Sequence, residues 1–124
     1  MILRSILLAV SLSVAAAAPL SAQDDLSDGA LLERRLRACL VTGAPGAPRD
    51  SLVAAVVALR SLCYTQIRRV REFRLAEIDA GFGLPEARLS ASQEAERERA
   101  HDAATRALND EIALAVANFT GLTL

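Results

Sequence analysis

The sequence predicts an all-α fold, and three observations lead there. Only 3% of its 124 residues are aromatic, whereas 52% are apolar, and sheets draw their cores from aromatic and β-branched side chains. Alanine is abundant and every basic residue is arginine, a helix-forming vocabulary. The apolar residues recur at intervals of three and four along three stretches separated by Gly/Pro punctuation. The length suits one small domain.

The first element is an address. Arg4 supplies a positive n-region, Ile6 to Ala18 an apolar run, and small residues lead to Ala22. Residues 1–22 therefore read as a secretory signal peptide, with cleavage before Gln23. An uncleaved N-terminal anchor is the alternative, since Ile2 to Leu20 approaches the ~20 residues that span a bilayer. The mature chain, residues 23–124, forms one helical domain of formal charge −2 once Arg4 is gone. No later stretch has membrane-spanning length, so stable insertion after cleavage is not expected, and localisation is periplasmic or extracellular. The small negative charge leaves no basic field for nucleic acid.

Helix A is expected over about 28–41, with Ser27 as N-cap and Leu32, Leu36, Cys39 and Leu40 on its apolar face. Residues 43–48, Gly-Ala-Pro-Gly-Ala-Pro, end it. Helix B runs over about 51–82, capped by Asp50, with the stripe Val56, Leu59, Cys63, Ile67 and Val70. Gly83-Leu84-Pro85 supplies its stop. Helix C covers about 91–120, opening on the capping box Ser90 to Gln93. Its stripe is Ala104, Leu108, Ile112, Ala115 and Phe119, and Gly121 ends it.

The short B–C connection makes these helices a long antiparallel hairpin. Counting through the turn places Val56 near Val116, Leu59 near Ala113 and Arg74 near Glu98. The basic run Arg68, Arg69, Arg71 and Arg74 then faces Glu94, Glu96, Glu98 and Asp102. Beyond helix A the hairpin is expected to continue as a charged two-helix arm.

Cys39 and Cys63 both lie within apolar stripes. Export brings them to an oxidising compartment, where pairing is expected. Two free thiols or an intermolecular link are the alternatives. A redox role fits poorly, because the spacing is not Cys-x-x-Cys and neither residue opens a predicted helix.

The remaining chemistry is sparse. His101 is the only imidazole; a metal site wants several ligands at close quarters. Ser90 and Ser92 are read as capping residues, so no nucleophile, base and orienting group converge. No phosphate loop or cofactor motif is present, and neither an enzyme nor a cofactor is expected. The reading is an exported non-enzymatic protein that binds a macromolecular partner in the cell envelope, chaperone-, adaptor- or accessory-like. Self-assembly and inhibition of a lytic enzyme are the alternatives. Residues 66–80 with 92–104 would present the contact surface, with Arg69, Arg71, Phe73 and Arg97 as its candidate binding residues, since arginine and aromatics dominate interface energetics.

Overall fold

A computed structural model describes residues 27–123. The signal-peptide reading of residues 1–22 lies outside them. The described chain is helical: α1 (Asp28–Gly43), a 3-10 turn (Ala44–Gly46), α2 (Leu52–Leu62), α3 (Tyr64–Gly81) and α4 (Ala91–Thr120). No strand occurs among the described residues.

The helix ends follow local chemistry. Ser27 Oγ accepts from the Ala30 amide at 3.2 Å, satisfying one of the amide donors left over at the start of α1. At α4 the capping box forms in both directions: Gln93 N donates to Ser90 Oγ, and Ser90 N donates to Gln93 Oε1. Gly83 and Gly121 adopt φ of +81° and +73°, the left-handed conformation that the two stop signals require. The cap of α2 is one residue later than expected. Ser51, not Asp50, is extended and accepts from Ala54 N at 3.1 Å.

Helix B is not continuous. Cys63, at φ −100° and ψ 20°, interrupts it between α2 and α3, although Cys63 N still donates to Leu59 O and Ile67 N to Cys63 O. The interruption falls on the residue bonded to α1: Cys39 and Cys63 form a disulfide with a Cα–Cα separation of 5.9 Å.

The core is one contiguous cluster. Leu36, Leu40 and Ala44 come from α1 and its turn; Leu52, Ala55 and Leu59 from α2; Cys63, Ile67 and Val70 from the break and α3; Leu108, Ile112 and Val116 from α4. On α4 the buried line is rotated slightly from the predicted one: Val116 is fully buried, while Ala115 and Phe119 are half-buried. Thr120, the buried polar residue, donates its hydroxyl to Val116 O at 2.6 Å and accepts from Leu122 N. Between Val70 and Leu108 no residue is buried, so the hydrophobic core ends there.

The hairpin register departs from the count through the turn. Val56 and Ala113 line one hollow, and Arg60 reaches Asn109. Beyond Cys63, Arg74 pairs with Glu111 and not Glu98, and Asp79 meets Arg97 and His101. No single antiparallel register connects Arg60–Asn109 with Arg74–Glu111, because fourteen residues on one side reach almost the same level of α4. Both contacts are made by long arginine side chains, which reach toward the same stretch of α4 from either side of Cys63.

Helix α1 also reaches further along the hairpin than expected. The ring of Phe73 lies where a Cβ on Gly29 would stand, and Glu33 pairs with Arg74. The two-helix arm therefore begins after Arg74, not at residue 66. At the other end of α1, a Cβ on Gly43 would come within 2.6 Å of Leu62 Cδ2 and 2.7 Å of Leu59 Cδ2. Glycine is needed there for close approach, and overpacking such a site costs about 1–3 kcal/mol.

Two outcomes follow for thermal and denaturant unfolding. Replacing Cys39 and Cys63 by serine, with a sequence separation of 24 between them, lowers stability by about 3.5 kcal/mol on the chain-entropy estimate. Gly43→Ala lowers it by about 1–3 kcal/mol despite alanine's better helix propensity.

Candidate functional site

The third helix packs on one side of the hairpin, so the bundle presents two unlike grooves. The groove that α1 fills holds the apolar core, and its rim is charged and internally neutralised. Arg74 donates to Glu111 Oε1 and Oε2 at 3.1 and 2.7 Å and to Glu33 Oε1 at 2.9 Å. The hydrogen bonds that Arg74 donates to Glu111 do most to raise the guanidinium above its ordinary pKa; burial opposes them, and the bond donated to Glu33 adds to the rise. Arg74 therefore stays charged throughout the working pH range. Leu36, Leu40, Leu108 and Ile112 form the floor of this 290 Å³ cleft. At its edge the Arg37 guanidinium sits 5.3 Å from the centroid of the Phe119 ring, within range of cation–π attraction.

The groove on the other side, between α2 and α4, is apolar and uncovered. Leu52, Ala113, Leu114, Ala117 and Leu122 line one hollow of 540 Å³, with Asp110 and Thr123 on its rim. Leu52, Val53, Val56, Val57 and Ala113 line a second of 180 Å³. The two share Leu52 and Ala113 and form one continuous surface. Val53, Val57 and Leu114 are 64%, 60% and 66% exposed, and they stand together along this one groove.

The four candidate binding residues do not form one patch. Arg69 is exposed, and Arg71 lines a separate hollow with Arg60, Ser61, Tyr64, Ile67 and Arg68. Phe73 is half-buried against Gly29. Arg97 is half-buried, with Nε 3.3 Å from Asp79 Oδ1 and Nη1 3.6 Å from Glu94 Oε1. Its Nε is buried and not aligned for a hydrogen bond with any described group.

The expected opposition of basic α3 and acidic α4 is overturned. Arg74 turns to Glu33 and Glu111, and Arg68 meets Glu72 of its own helix at 3.8 Å. Among the described residues, Arg69 and Arg71 have no carboxylate within 4.0 Å. The pairs that do cross the arm have the reverse polarity, with Asp79 on α3 and Arg97 and His101 on α4. For Arg74 the physical reason is that carboxylates of α1 and α4 bracket its guanidinium at 2.9 and 2.7 Å.

His101 Nε2 lies 2.6 Å from Asp79 Oδ1. Such a pair orients an imidazole, but acid–base catalysis on a nucleophile needs a third group in reach. Ser92, nine residues back along α4, is about 14 Å away along the helix axis, and the Ser90 and Ser92 hydroxyls are 3.2 Å apart at the cap. Among the described residues no cluster of three or more His, Cys, Asp or Glu side chains is arranged to hold a metal ion. No described helix is long and apolar enough to cross a membrane.

Sequence reasoning missed the α2–α4 groove, although a signal was present. Residues 52–59 read Leu-Val-Ala-Ala-Val-Val-Ala-Leu, apolar on every side of two turns. A helix apolar all round has more than one face to cover, and α1 covers only one. Comparison of the chain with protein-family models, curated proteins and solved structures finds no match.

The Arg74 bridge is testable by a double-mutant cycle with Glu111. Arg74→Gln should lower stability by about 1 kcal/mol, with a coupling to Glu111→Gln of about 0.5–1 kcal/mol that shrinks in high salt.

Proposed function

We propose that the protein is exported and acts, without catalysis, as a binding module for a macromolecular partner in the cell envelope. The α2–α4 groove takes an amphipathic helical segment of that partner. The single observation that carries this reading is the exposure of Val53, Val57 and Leu114 along one groove of a hairpin whose other groove is filled by α1. A fourth helix laid there would complete a four-helix arrangement, the packing such hairpins commonly adopt. Covering the exposed part of each of these side chains contributes about 1–2 kcal/mol. An exposed ion pair on the arm contributes only about 0–1 kcal/mol, so the apolar groove outweighs the arm as the anchor.

Export is supported by the Cys39–Cys63 bond, since structural disulfides persist in oxidising compartments, and by the leader-like residues 1–22. The arm residues Arg69, Arg71 and Arg97 keep a secondary place in this reading, as polar surroundings of the contact. Phe73 drops out, because its ring is engaged by Gly29.

A photo-crosslinking residue at Leu114, expressed in the native host, tests the reading. A discrete protein adduct is expected from Leu114 and not from Arg34 on α1, and Val57→Glu should remove it. Both positions are exposed, so these changes should alter stability by no more than about 0.5 kcal/mol. An adduct of twice the chain mass would identify a second copy as the partner and favour self-assembly. Equal labelling from Leu114 and Arg34, or none from either, overturns the proposal.

A further inference from the structure

The exposed face of α2 does not end at its valines. Val53, Val57, Arg60, Tyr64, Arg68 and Arg71 recur at intervals of three and four, so one line of α2 and α3 passes from apolar to cationic. Arg60, Arg68 and Arg71, with Ser61, Tyr64 and Ile67, line a hollow of 190 Å³. Its three guanidiniums are short of negative charge. Arg60 donates to Asn109 Oδ1 at 2.6 Å, a neutral acceptor that fixes the side chain and leaves its charge unanswered. Arg68 meets only Glu72, at 3.8 Å with the two side chains 47% and 64% exposed. Arg71 has no carboxylate within 4.0 Å among the described residues.

From this polarity we infer that the partner segment is an acidic amphipathic helix. Its apolar turns lie between α2 and α4, and carboxylates spaced three and four apart over the following turns meet Arg60, Arg68 and Arg71. The inference rests on the reading of the α2–α4 groove given above and adds the partner's charge pattern to it. Val53 and Arg71 stand eighteen positions apart, so a partner helix of about five turns, ~27 Å, covers the line. Guanidinium forks favour carboxylates with paired hydrogen bonds. A helix suits this surface better than a lipid chain does. Val53, Val57 and Leu114 stand 60–66% exposed, so an acyl chain resting on them would keep much of its own surface in water. A helix covers them with one face and keeps its other face solvated.

The test uses the disulfide-bonded protein and labelled eighteen-residue helical peptides, read by fluorescence anisotropy. Two acidic peptides carry a leucine stripe in one half and glutamates in the other, one in each order, to cover both helix directions. A lysine peptide replaces the glutamates, and a serine peptide replaces the leucines. One acidic peptide should bind at least tenfold tighter than its lysine counterpart, and that advantage should fall as salt is raised. Arg68→Gln with Arg71→Gln should erase the advantage, whereas Arg34→Gln with Arg35→Gln on α1 should leave it intact. Equal binding of acidic and lysine peptides, both needing leucine, overturns the acidic assignment and leaves the groove standing. Failure of every peptide, or indifference to the leucines, overturns both. Phosphatidylglycerol vesicles bound more tightly than either peptide, with the same loss in the Arg68/Arg71 variant, would assign the arginines to a membrane surface and overturn the inference.

Discussion

The bond between Cys39 and Cys63 decides which side of the hairpin is covered. Cys63 has no solvent exposure and sits at the junction of α2 and α3. Cys39 lies in the C-terminal third of α1, half-buried against the same core. Tying these two points places α1 along one groove of the α2/α3–α4 hairpin. Its glycines then fit on both sides of the tie, Gly29 under Phe73 and Gly43 against Leu59 and Leu62. A domain of this size buries too little surface to be secure on packing alone, so a covalent link that removes loop freedom from the unfolded chain is a large part of what keeps α1 in place.

From that tie the molecule divides by chemistry. The α1 side of the hairpin combines buried leucines with a bridged ion pair, in which Arg74 joins a carboxylate of α1 to one of α4. Beyond Arg74 the core has ended, and the arm is held by the Asp79 contacts to Arg97 and His101 and by half-buried side chains such as Leu75 and Ile78. Groups of this kind contribute less than core burial, so the arm is the least stable part of the described chain.

Much of this was legible in the sequence, and the residues show why. Ser27, Ser90, Gln93, Gly83 and Gly121 act through their immediate neighbours, so spacing alone located the helix ends they form. The pairing of Cys39 with Cys63 followed from two apolar stripes and the expectation of export. The break at Cys63 was not legible, because no proline or glycine marks it and the stripe Leu59, Cys63, Ile67 continues across it. The assignment of Arg74 to Glu98 failed because Glu33 of α1 and Glu111 of α4 both lie within reach of the guanidinium, and a count along two helices includes neither the third helix nor the length of an arginine. The unbroken apolar run at 52–59 was visible, but periodicity selects one best face and discards the surplus. That surplus is Val53 and Val57, the residues that line the open groove.

Geometry alone guarantees that three helices leave one side of a hairpin open; it does not require that side to be apolar. A groove that faces only water is ordinarily lined with charged and polar residues, as the outer face of α4 near Glu96, Glu98 and Asp102 is here. Polar residues at 53, 57 and 114 would leave the buried cluster of Leu59, Val70, Ile112 and Val116 untouched, because none of the three belongs to it. Their apolar character therefore adds little to the packing seen within one chain. It is accounted for once a further surface lies against it, and the arginines that continue the same line of α2 and α3 give that surface a sign. The staple, the covered groove and the uncovered one are in this sense a single arrangement: fixing α1 on one side is what reserves the other.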